Sequence, residues 1–140
     1  MDIVEYYFAF HRPATFREIR AGASYTSLLG HVEAFGYTMD ETWFFFDPGR
    51  SIANLKITHM HDEVNDLLAA RFTATTEVYR YAGNLHAFPA PLHGPMNCVT
   101  QCASLIGLRA FTPQGFRKKL IAHKAELIHG PEKQRRSGRS

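Results

Sequence analysis

The chain is short of cysteine, has no long apolar run and carries no charge bias outside its last residues; each lack excludes something. Two cysteines, Cys98 and Cys102, cannot build a disulfide scaffold in 140 residues. On one helix they would stand a single turn apart, where disulfide geometry is awkward, so reduced thiols are expected, as in an intracellular protein. No apolar stretch approaches the roughly 18 to 20 residues of a bilayer-spanning helix. The start, Met1-Asp2-Ile3-Val4-Glu5, lacks the basic and apolar regions of a signal peptide. The formal net charge is +3, but residues 132–140 hold four cations (Lys133, Arg135, Arg136, Arg139) against Glu132. The body is therefore neutral, which excludes nucleic-acid binding by a generally basic surface and leaves only weak phosphate contact through the tail.

What is present is apolar and aromatic. The sequence is 45% hydrophobic and 13% aromatic, with 11 phenylalanines, enough for the core of one domain. Residues 3–10, 28–37, 42–47, 52–58 and 73–81 read as strands, rich in β-branched and aromatic types and bounded by turn residues. Within the third of these, Trp43-Phe44-Phe45-Phe46 reads as a strand buried on both faces. Residues 16–22 read as a short helix capped by Thr15, and 62–71 as a helix with Val64, Leu67 and Leu68 on one face. Gly83, Pro89, Pro91, Gly94 and Pro95 make 83–96 a long loop, of a length often functional. A helix is expected over 97–108. A second starts at Thr112-Pro113, a cap followed by proline, and runs to about His129. This order predicts an α+β domain over residues 1–131, a mostly antiparallel sheet packed against two C-terminal helices, with a disordered tail over 132–140.

The strongest chemical signal is Pro95-Met96-Asn97-Cys98-Val99. Cys98 stands in the first turn of a helix, where the dipole favours thiolate and free N–H groups can hold an oxyanion. Cys102, one turn on, reads as a core residue. A nucleophilic thiol needs a base and a group to orient it. A β-hairpin turn centred on Met39 pairs Tyr37 with Glu41, Phe35 with Trp43, Glu33 with Phe45 and His31 with Asp47. That register puts His31 and Asp47 about 5 Å apart at Cβ on one face. Glu33, on the same face, is a competing partner for His31. A buried structural thiol at Cys98, a sheet histidine at His31 and a turn aspartate before Pro48-Gly49 are the plainer readings of the same residues.

Gly30-His31-Val32 in a strand, Phe46-Asp47 ending the next and Asn97-Cys98 opening a later helix resemble the circularly permuted branch of the NlpC-type papain-like superfamily. There the catalytic histidine precedes the cysteine. Residues 97–113 are also similar to small permuted papain-like proteins of phages and bacteria. The resemblance covers about residues 28–120. It implies a permuted papain-like fold, Cys98 as nucleophile, His31 as general base and acid, and Asp47 as the orienting residue. It further implies amide or peptide hydrolysis without a cofactor, on a peptide or peptidoglycan-like substrate, in the cytoplasm or a virion. Val99-Thr100-Gln101 follow Asn97-Cys98 in place of the Glu-His-Phe of the acyltransferase-like members, which speaks against acyl transfer. His93 and Asn97 are the polar side chains nearest Cys98 for an oxyanion role.

Two further readings compete. A non-catalytic interaction module on the same fold, such as a phage or envelope component, would leave the thiol inert. Thr58-His59-Met60-His61-Asp62 starts like the His-x-His of a metal hydrolase, but Glu63 and Val64 depart from the rest of that motif. Two ligands are short of the three or four that zinc needs, and Asp62 as a helix cap explains the segment.

Overall fold

The computed structural model describes residues 3–12, 16–22, 30–48, 53–75, 77–82 and 98–130. The loop expected over 83–96 and the tail over 132–140 lie outside them. In chain order the elements are β1 (Ile3–His11), α1 (Phe16–Arg20), β2 (His31–Thr38), β3 (Trp43–Pro48), β4 (Ala53–Thr58), α2 (His61–Ala74), β5 (Glu77–Tyr81), α3 (Cys98–Leu105), α4 (Pro113–Ala122) and β6 (Glu126–His129). The strands form one antiparallel sheet in the order β4-β3-β2-β1-β5-β6. The architecture is α+β.

The middle of the sheet is covered on both faces, because neighbouring residues of a strand point opposite ways and both sets here are apolar. Phe8, Phe10, Val32, Ala34, Tyr79 and Tyr81 pack against Val99, Cys102 and Ala103 of α3 and Phe116 and Leu120 of α4. On the other side Ala9, Phe35, Phe45 and Val78 meet Val64, Leu67, Leu68 and Phe72 of α2. Helices thus cover the sheet on two sides, where the sequence suggested the C-terminal pair alone. Phe45 of the aromatic run is buried, while Trp43, Phe44 and Phe46 are half-buried. Tyr7, Phe35 and Phe45 form a stacked row, with centroids 5.1 and 5.8 Å apart. Such pairs contribute about 0.5–1.5 kcal/mol each beyond their buried area. Gly36 lets the strands close: a Cβ there would lie 2.3 Å from the Glu5 carbonyl, beside the irregularity in the β1–β2 pairing.

Three sequence expectations need correction. The last helix does not reach His129: α4 ends at Ala122, and Glu126–His129 is strand β6, paired with β5. Lys124 takes a left-handed φ of 66°, the Ala125 N–H bonds the Leu120 carbonyl and the Lys124 N–H bonds that of Ile121. This is a Schellman cap with lysine in the usual glycine place, so no glycine announced it. Thr73 and Ala74 extend α2 rather than start a strand. The Thr73 and Thr75 hydroxyls donate to the Ala69 and Arg71 carbonyls, four residues back, Thr75 doing so as the extended residue that ends the helix. Finally, α2 begins at His61 with Met60 as its cap and no side-chain capping bond, so Asp62 is not the cap.

Candidate active site

The β2–β3 turn sets the geometry. It closes through Thr38 N–H to Thr42 carbonyl and Glu41 N–H to Thr38 carbonyl, with Glu41 at φ 63°. Tyr37 therefore pairs with Trp43, Phe35 with Phe45 and Ala34 with Phe46. The register expected from a turn at Met39 is off by two residues. An even slip leaves every side chain on its expected face, so His31 and Asp47 still share one.

The β2–β3 ladder stops at Ala34 and Phe46, and the first turn of α3 sits where it ends. There Val32 holds the helix with both backbone groups. Its carbonyl accepts from the Cys102 thiol at 3.7 Å, and its N–H side helps hold the Cys98 thiol down. Gly30, at φ 88°, turns the chain into β2 just before His31. Thr112 caps α4 by accepting from the Gly115 N–H, as expected. α3 ends in a Schellman cap at Gly107, φ 77°.

His31 lies between Asp47 and Cys98. Its Nε2–H donates to Asp47 Oδ1 at 2.5 Å, and the Cys98 thiol acts electrostatically on the same ring from the start of α3. The Asp47 bond, then the thiol, raise His31 from 6.5 to about 10, against the opposing pull of burial. Asp47 is held below the usual carboxylate range by the His31 bond. Burial pushes the Cys98 thiol up, but the His31 bond and backbone bonds from Val32 and Val99 outweigh it, and the net direction is down. The site is open, with His31 and Asp47 side chains 34% and 38% exposed. All three shifts run in the direction that favours a thiolate beside an imidazolium, with a carboxylate bound to the ring.

Glu33, the competing partner, is bound elsewhere. Its Oε2 accepts from His11 Nε2 at 2.6 Å, and its Oε1 lies 3.8 Å from Arg71. His11 was not singled out from sequence. It ends β1 directly opposite His31, a pairing between strands about twenty residues apart that no local motif encodes. Cys102 is buried, with its thiol pushed well up by burial. His59 and His61 are exposed at the β4–α2 junction, His61 lying 3.8 Å from Glu41. Among the described residues no three side chains are grouped to hold a metal. His93 and Asn97 lie outside the described residues. No described helix is long and apolar enough to cross a membrane. The chain matches no protein-family model, no curated protein and no solved structure.

Proposed function

We propose that this chain is a cysteine-dependent hydrolase of amide or peptide bonds, of permuted papain-like arrangement, using Cys98, His31 and Asp47. The observation that supports the reading is the His31–Asp47 bond at 2.5 Å beside Cys98 in the first turn of α3, with His31 and Cys98 shifting each other toward their charged forms. The Cys98 thiolate attacks the carbonyl carbon of the scissile amide. N–H groups of the first turn of α3 face the oxyanion. As the C–N bond breaks, His31 gives its proton to the leaving amine, and the acyl group stays on sulfur as a thioester. Water then attacks the thioester, His31 takes its proton, and the thiolate leaves with the acid released. Asp47 keeps the His31 ring aimed and its charged form favoured throughout. A peptide or peptidoglycan peptide is the proposed substrate class.

The test is iodoacetamide alkylation of Cys98 as a function of pH, resolved by site with mass spectrometry, in the wild type and His31→Ala. Fast reaction of Cys98 well below the ordinary thiol value of about 8.5, lost in His31→Ala, is expected. Incubation with a panel of blocked peptide amides should then leave an acyl adduct on Cys98. A folded wild type whose Cys98 titrates as an ordinary thiol overturns the reading.

A further inference from the structure

We propose that His11 is a positioning residue for His31: its ring is the wall that keeps the His31 imidazole turned toward Cys98, and Glu33 with Arg71 fixes that wall. The proposal rests on the reading of Cys98, His31 and Asp47 given above. His31 opens its strand, follows a glycine and is one-third exposed, so its own backbone gives it little restraint. The Asp47 bond fixes one ring nitrogen but leaves the ring free to rotate about that contact. The missing restraint comes from β1. His11 pairs with His31 across the sheet, their ring centroids 5.2 Å apart and planes inclined by 48°.

His11 is itself anchored. Glu33, 8% exposed, accepts from its Nε2 at 2.6 Å. Arg71 of α2 reaches the other Glu33 oxygen at 3.8 Å, stands 5.0 Å from the centre of the Phe45 ring and donates to the Leu67 carbonyl. The charged and titratable groups around the pair of rings are thus Glu33 on β2, Asp47 on β3, Arg71 on α2 and Cys98 on α3. A buried carboxylate held by two cationic or donor partners is costly to disturb, which makes it a firm mount. Holding a base in its reactive orientation removes an entropic cost from the reaction.

The experiment compares Cys98 alkylation profiles of the full-length wild type, His11→Gln, His11→Phe and His31→Ala. Gln keeps a donor for Glu33 but has no ring; Phe restores a ring without the donor. His11→Gln is expected to slow Cys98 alkylation at pH 6.5 by roughly tenfold and to move its profile toward the ordinary thiol range, and His11→Phe, a ring without the Glu33 mount, to recover part of that loss. A His11→Gln profile superimposable on the wild type overturns the proposal, as does equal loss in both His11 variants. If His31→Ala loses reactivity while His11→Gln does not, only the His11 proposal falls. An ordinary thiol in the wild type sinks both.

Discussion

Cys98 and Cys102 are the same residue type, one turn apart on one helix, and the protein treats them in opposite ways. Cys98 begins α3, half-buried, with His31 and backbone N–H groups around its sulfur, and its thiol is shifted down. Cys102 is fully buried among apolar side chains, and its thiol is shifted up. The Val32 backbone acts on both, its N–H lowering the Cys98 thiol and its carbonyl accepting from the Cys102 thiol. A donor stabilises a thiolate, and an acceptor requires a thiol. The contrast teaches that reactivity here comes from which backbone group of Val32 a sulfur meets and from where along one helix it stands.

The sharpest way to break that contrast is to remove His31. At pH 6.5 an ordinary thiol is only about 1% thiolate, so His31→Ala should slow Cys98 alkylation by roughly tenfold to a hundredfold, with Cys102 unreactive in both proteins. Asp47→Asn is expected to act more weakly, about tenfold, since it removes the largest influence raising His31 but leaves the imidazole beside the sulfur. The same substitution tests the ion pair through stability. His31, raised to about 10, contributes stability fully present below 6.5 and lost as the pH rises through about 10. Asp47, depressed, contributes stability present above the usual carboxylate value and lost as the pH falls through its lower one. The urea-unfolding difference between wild type and Asp47→Asn should therefore be largest between these limits and shrink above pH 10 and in strong acid.

The part of this site legible in the sequence was what parity and helix position control. A cysteine after a proline-glycine loop had to fall in a first turn, and a strand alternation puts His31 and Asp47 on one face under any even slip. The exact register was not legible, because Glu41 takes a left-handed conformation that glycine or asparagine would normally mark. Lys124 hid the end of α4 and the start of β6 in the same way. His11 was illegible for a different reason. Its partner is set by the long-range pairing of β1 with β2, which tertiary packing determines and local pattern does not. The α2 face of Val64, Leu67 and Leu68, with its helical period, was plain from sequence and packs as read.

Cys102 supplies the complementary test. Cys102→Ala removes a fully buried sulfur from the α3–β2 contact and should cost about 1 kcal/mol in urea unfolding, leaving the Cys98 alkylation profile within about twofold of wild type. A large change at Cys98 would show that the two sulfurs act as a unit rather than as separate groups on one scaffold.

The smallest expected effect asks whether the contrast is local. α3 and α4 end in the same Schellman cap, but α3 uses Gly107 and α4 uses Lys124, both with left-handed φ. Glycine is unstrained there and lysine is not, so Lys124→Gly should raise stability by about 0.5–1 kcal/mol. That cap belongs to the other helix, and no sulfur contact passes through it. If the thiol profiles follow from the N–H, carbonyl and imidazole groups at β2, the melting curve moves and both profiles stay where they were. A Cys98 profile that moved with global stability would mean that the sulfur's environment depends on how tightly the whole domain is held, and the difference between the two cysteines could no longer be assigned to Val32 and His31.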